Sequence, residues 1–253
     1  MLDERDAEGS KALDLKKDLV EIIRWYDGRN PRASQTNIGP SELSSPCDRR
    51  IAYRLAGIQE INNTLDPWPA IVGTAVHSWL DSAVSAWIRT GHGLDWLTET
   101  KLTVGDWVTG RSDLFNVPRA TVVDWKGVSA DRMKQIQAKG SPENYRNQLH
   151  LYGLGYENRG YKVKRCALAY FPRSGLIKDL HVDLFDYDQD KAQALLRRIP
   201  VMATKILELD VLNNPHRWEQ MESSPSHDCG FCPWYNFRRT PEEGASDLGC
   251  PGQ

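Results

Sequence analysis

Long apolar runs, a strong net charge, a nucleotide-binding loop and internal repeats are all missing from this 253-residue chain. Without a run of about eighteen apolar residues, no membrane-spanning helix is expected. The opening MLDERDAEGSKALDLKKDLV carries acids and lysines from its third residue, unlike a secretory signal, so the expectation is a cytoplasmic protein with no membrane contact. No G-x-x-x-x-G-K-[ST] occurs, which excludes a P-loop motor within the chain. A net charge of −2 supplies no global field to attract nucleic acid. Any DNA contact would rest on clusters such as Arg49, Arg50 and Arg54 or Arg238 and Arg239. No low-complexity tract or linker interrupts the sequence, so residues 1–253 are expected to form a single domain. Cysteine is scarce as well: five in an intracellular chain point away from a disulfide framework and towards metal ligation.

What is present reads as helices, then strands, then both. Leu15, Leu19, Ile22, Ile23 and Tyr26 share one helical face, and Gly28 ends that helix. The polar stretch from Asn30 to Pro46 reads as a loop. CDRRIAYRLAGI predicts a short helix stopping at Gly57. PAIVGTAVHSWLDSAVSAWIRTG predicts a long one, with Val72, Val76, Trp79, Ala83 and Trp87 spaced for burial. From Leu94 to Lys126, Thr-, Val- and Trp-rich runs broken by Gly105, Gly110 and NVPR predict consecutive antiparallel strands. Helices near 130–138 and 142–159, strands in KVKRCALAYF and LIKDLHVDLF, and a helix from Tyr187 to Leu209 follow. The last thirty residues are irregular. The fold class is therefore α/β.

Three D/E-x-K triplets occur, a motif so short that chance supplies one or two. Asp14 and Lys16 lie on a charged helix, where residues two apart diverge. Glu99 and Lys101 lack a strongly apolar lead-in. Asp124 and Lys126 follow Thr121, Val122 and Val123, and the two-residue strand period sets both charges on one face. Taken alone, the triplet is better accounted for by an edge strand with a solvated ion pair. Against that, a turn through NVPR would fold GRSD back and bring Asp113 close to Asp124. Two converging carboxylates suit a hard divalent cation, and an adjacent lysine suits an attacking water and a charged phosphate. His77, and Gln148 with Tyr152 at i and i+4, are unremarkable taken singly; a lone histidine on an apolar helix is most often a packed core residue.

Taken in order, G-x-x-x-H (Gly73, His77), G-x-x-D (Gly110, Asp113), D-x-K and Q-x-x-x-Y resemble the signature of the RecB-like branch of the PD-(D/E)xK nucleases, and SPCDRRIAYRL resembles that family's N-terminal entry. The resemblance implies a restriction-endonuclease-like core, a central mixed β-sheet flanked by helices. It assigns His77, Asp113, Asp124 and the main-chain carbonyl of Trp125 to a catalytic Mg²⁺ or Mn²⁺, and Lys126 to the water. Gln148 and Tyr152 would hold the lysine and the scissile strand in register. An imidazole ligand favours Mn²⁺. Residues 1–70 would be a helical N-terminal segment, 71–210 the nuclease core and 211–253 a cysteine-rich tail.

Cys47 before that core, and Cys229, Cys232 and Cys250 after it, resemble the layout by which the CRISPR-associated adaptation nuclease and AddB-type nucleases tie their chain ends with a [4Fe-4S] cluster. Seventeen residues separate Cys232 from Cys250, more than that layout usually has. His227 as last ligand, or zinc in place of a cluster, stays open. Cys166, in an apolar strand, reads as a structural thiol. The tail looks too poor in apolar residues to dock by itself.

The implied activity is a metal-dependent exonuclease on linear, mainly single-stranded DNA in recombination, repair or phage DNA processing, served by a separate helicase or single-strand-binding protein. A single-strand or structure-specific endonuclease of the same fold is the close alternative, and a non-catalytic DNA-binding module is the alternative of another class. Trp68, Trp79, Trp87, Trp96, Trp107 and Trp125 are numerous enough for some to stack on bases. Helical placement makes core packing the better account of Trp79 and Trp87.

Overall fold

Val122, Asp124 and Lys126 alternate with Val123 and Trp125 along one extended run, and the neighbouring chain supplies a partner for both of its edges. In the computed structural model, which describes residues 2–28, 37–62, 66–91, 95–224 and 227–252, this run is β3 (Thr121–Val128). It lies between β2 (Val108–Asn116) and β4 (Arg165–Pro172); β1 (Trp96–Gly105) and β5 (His181–Asp186) form the edges of a five-stranded sheet in the order β1-β2-β3-β4-β5. All neighbours are antiparallel except β3 and β4, where Asp124 faces Leu168. A parallel pair needs a crossover. Helices α5 (Ala130–Lys139) and α6 (Glu143–Glu157) provide it. The mixed sheet flanked by helices agrees with the expected architecture, and the solvated edge strand is excluded because β3 is interior.

The remaining helices are α1 (Leu2–Asp27), α2 (Pro40–Leu43), α3 (Asp48–Leu55), α4 (Trp68–Arg89) and α7 (Gln189–Glu208). The chain divides into two compact units, residues 1–36 with 66–72 and residues 37–65 with 73–253. In the first, α1 ends just before Gly28 as its sequence predicts and leaves Leu15, Leu19, Ile22 and Tyr26 exposed. All candidate catalytic, metal-binding and cysteine-cluster residues belong to the second. There, one face of the sheet buries Val122, Leu168 and Tyr170 against Leu149, Tyr152 and Tyr156 of α6. The opposite face packs Leu114, Val123, Ala167 and Ala169 against Val84 of α4.

Three expectations fail for physical reasons. The stretch from Asn30 to Pro46 is not all loop. Residues 30–36 lie outside the described residues, but Pro40 starts α2 at the position where a missing N–H costs nothing, and Pro40 and Leu43 are buried. The face of α4 bearing Val76, Trp79 and Trp87 is exposed, Trp79 at 70%. That helix turns its other side, with His77, Asp81 and Val84, to the sheet. Apolar spacing marked a stripe but could not say which stripe the sheet takes. The tail, thirdly, does dock through apolar residues. Trp218, Met221 and Trp234 are buried with Tyr53 of α3, whose ring lies 4.3 Å from that of Trp218. Each such side chain contributes about 1.5–3 kcal/mol on burial.

Gly110 has a steric role. A Cβ there would stand 2.6 Å from Cδ of Pro40, a ring that cannot rotate away, and 3.2 Å from the Tyr152 ring. The Gly110→Ala variant is expected to lose about 1–3 kcal/mol of stability in urea unfolding. Unchanged stability would show that α2 does not close on this strand.

Candidate active site

Beyond the pair Leu114 and Val123 the ladder between β2 and β3 stops. Instead of a main-chain carbonyl, the Asp113 carboxylate accepts the N–H of Trp125, at 2.8 Å. The strands part there and open a cleft at the level of Asp124. Asp113 and Asp124 thus converge as the hairpin predicts, and both are buried, at 7% and 2% exposure. His77 reaches the same place from α4, its Nδ1 3.4 Å from the other Asp113 oxygen. One turn on, Asp81 accepts the Thr98 hydroxyl at 2.7 Å, which ties α4 to β1.

Lys126 and Asp124 form an ion pair at 2.6 Å, and the α6 side chains complete it. Lys126 Nζ donates to Gln148 Oε1 at 3.3 Å, and Gln148 Nε2 donates to Asp124 Oδ1 at 3.2 Å and to the Tyr152 hydroxyl at 3.4 Å. The ammonium also lies 4.9 Å from the centre of the Tyr145 ring. Gln148 therefore uses both ends of its amide to set the distance between acid and lysine. Unremarkable taken singly in the sequence, Gln148 and Tyr152 are both buried in the structure.

Glu99 is the residue that sequence reasoning passed over. Thr98 faces Leu114 and Thr100 faces Ser112, so the hairpin places Glu99 across from Asp113. Its φ of 45° lies in the left-handed region, a conformation that costs a non-glycine residue about 1–2 kcal/mol. His77, Glu99 and Asp113 offer ligand atoms all within 4.8 Å of one another. The available signal was strand pairing: counting back from Asp113 through the turn at Gly105 leads to Glu99, although a register shift between Thr103 and Gly105 obscures the count. The remaining triplet behaves as expected: Asp14 pairs with Lys17 on exposed α1.

Electrostatics make this cluster receptive to a cation. Burial raises the Asp124 carboxyl above its ordinary range, against the pull of Lys126. Burial opposes the charged form of Lys126, but the Asp124 carboxylate outweighs it and holds the ammonium on. Burial and the Asp113 charge raise Glu99, and the hydrogen bond to Asp113 raises His77. Groups that hold protons this firmly must release them to a divalent ion, so metal binding should strengthen as pH rises and should liberate protons. Titration calorimetry from pH 5.5 to 7.5 is expected to show rising Mn²⁺ affinity, lowered about tenfold or more by Glu99→Gln. Affinity independent of both pH and Glu99 would contradict this ligand set.

A second cluster lies on the tail. Cys47, Cys229, Cys232 and Cys250, all free, line one cavity together with Arg49 and Arg50. Cys229 and Cys232 sit on one turn, closed by the Cys232 N–H donating to the Cys229 carbonyl at 2.9 Å. The seventeen-residue gap is spanned by a bridge between Tyr235 and Cys250, with the Cys250 N–H donating to Trp234 O at 2.9 Å. Cys250 is therefore brought to the other three despite its distance in sequence; the His227 side chain lies outside the described residues. Cys166 is buried in β4, as a structural thiol should be, and burial pushes its pKa up. Arg49 is not open to DNA: it is 6% exposed and donates to the carbonyls of Met221 and Glu219. Arg54 is paired with Glu42 and Glu60. No described helix is long and apolar enough to cross a membrane.

Comparison with known proteins matches residues 87–237 to the PD-(D/E)XK nuclease superfamily. That span includes Asp113, Asp124, Lys126, Gln148 and Tyr152, and starts after His77. Among solved structures, the chain is similar to the protein SSO0001 at 17% identity, covering 87% of this chain and 94% of that one with a TM-score of 0.50, a likeness of fold. An alkaline exonuclease, LHK-Exo from Laribacter hongkongensis, is similar at 13% identity over 72% of this chain and 94% of that one, with a TM-score of 0.48. A phage related exonuclease from Haemophilus somnus 129PT is similar at 11% identity over 61% and 77%, with a TM-score of 0.37. No curated protein matches the sequence.

Proposed function

The chain belongs to the PD-(D/E)XK nuclease superfamily, and from that premise we propose that it is a Mg²⁺- or Mn²⁺-dependent exonuclease that hydrolyses linear, mainly single-stranded DNA. The observation that carries this reading is the connected set Asp124, Lys126, Gln148 and Tyr152, facing Asp113 and His77 across a parted strand pair. A surface that only binds DNA has no use for a buried carboxylate held 2.6 Å from a half-buried lysine. His77, Asp113, Asp124 and the Trp125 carbonyl would hold the cation, with Glu99 added to that set. The cation supplies Lewis acidity to the phosphate and lowers the pKa of water.

The protein's own groups do the rest. Asp113 and Asp124 fix the position of the positive charge. Lys126, kept protonated by Asp124 and aimed by Gln148, neutralises charge developing on the phosphate and orients the attacking water. Tyr152 stops Gln148 from rotating. The exposed Trp107 and Trp79 are available to unpaired bases or to partners. One nuclease domain acting in the cytoplasm with a separate helicase or single-strand-binding protein fits this chemistry, in recombination, repair or phage DNA processing.

For the cysteine cavity we propose a structural [4Fe-4S] cluster. Four cysteines lining one cavity could ligate either a zinc ion or a cluster, and their layout of one before and three after the core, like that of the cluster-bearing nucleases, favours the cluster. The buried Nε of Arg50, which has no hydrogen-bond partner among the described residues, suits the same occupant, because cluster sulfides accept hydrogen bonds.

End-labelled linear and closed circular single strands, incubated with Mn²⁺ or Mg²⁺, test the activity. Linear strands should be degraded and circles spared, with Asp124→Ala reducing the rate by at least about a hundredfold. Cleaved circles would make the protein an endonuclease. Intact DNA of both kinds would leave only the binding module.

A further inference from the structure

Two adjacent arginines on α3 face the cysteine cavity, and they do different things. Arg49 Nη1 donates to Cys250 Sγ at 3.2 Å while its Nε and Nη2 donate to the carbonyls of Glu219 and Met221. Arg50 lines the cavity beside Cys47, Cys229 and Cys232, and its buried Nε finds no acceptor among the described residues. A buried guanidinium N–H without a partner is costly, and an arginine at the surface would have no reason to accept that cost. Two cations on one wall also exceed what four neutral thiols need. A four-thiolate cubane carries a net charge of about −2 when oxidised and about −3 when reduced, and hydrogen bonds to its sulfurs and nearby positive charge raise its potential.

We propose that Arg49 and Arg50 are positioning residues for the cysteine-bound group: Arg49 fixes the Cys250 thiolate, Arg50 donates Nε–H to a cluster sulfur, and together they offset its charge. This rests on the cluster reading of that cavity. It explains why Cys250 can serve although it is remote in sequence, since Arg49 holds its sulfur while the bridge to Tyr235 holds its backbone. It also gives the C-D-R-R segment at Cys47 a role beyond its one cysteine.

The full chain, purified without oxygen, would be assayed for iron, sulfide and zinc. Its midpoint potential would then be read by absorbance during reduction with dithionite, which supplies one electron per cluster. Arg50→Gln and Arg49→Gln are expected to retain iron and to shift the midpoint to more negative values, with Arg50→Lys returning part of the shift. Identical midpoints in wild type and both glutamine variants would overturn the proposal while leaving the cluster in place. Zinc without iron in the wild type would instead overturn the cluster reading, and this inference with it. If Arg49→Gln does not fold, because Arg49 also braces Met221 and Glu219, the Arg50 variants decide the matter alone.

Discussion

A lysine and an aspartate 2.6 Å apart inside a sheet are the constraint around which the rest of the site is arranged. Neither charge could stay buried without the other, and removing one partner of such a pair typically costs about 3–5 kcal/mol. Burial raises the Asp124 carboxyl above its ordinary range, yet Lys126 and Gln148 keep it paired and aimed. Asp113 takes the Trp125 N–H, and that side-chain bond replaces the next rung of the ladder. The cleft therefore follows from the same residue that would grip a metal. Its carboxylates repel one another until a cation arrives.

Sequence alone makes the closeness of Asp113 to Asp124 legible, because a short turn between two apolar runs admits one register. It also makes the order of helices and strands legible from Leu94 onwards, apart from residues 92–94, which lie outside the described residues. Glu99 is set aside with its weak triplet because its participation depends on a register shift and a left-handed backbone, neither of which leaves a compositional trace. The direction of α4 is missed for a related reason. Its apolar stripe is real, but two polar contacts and one valine decide which side meets the sheet.

The C-terminal segment combines two kinds of glue. Trp218 and Trp234 pack on Tyr53, whose hydroxyl donates to Ser246 O at 2.7 Å, and Trp234 donates to Ile58 O at 2.9 Å. Around that aromatic centre the four cysteines come together from three separate places in the chain. Spacing in the sequence could not reveal this, since the segment between Cys232 and Cys250 doubles back through a bridge of single residues. Aromatic packing and these hydrogen bonds dock the tail, and the arginine wall adds a reason for the cysteines to be where they are.

The most direct test of the central claim is anomalous diffraction from crystals soaked in Mn²⁺. The account predicts a peak bounded by His77, the carboxylates of Asp113 and Asp124 and the main-chain carbonyl of Trp125, with Glu99 at its edge. A manganese ion bound only elsewhere, with the Asp124 to Lys126 pair undisturbed and no density in the cleft, would contradict it.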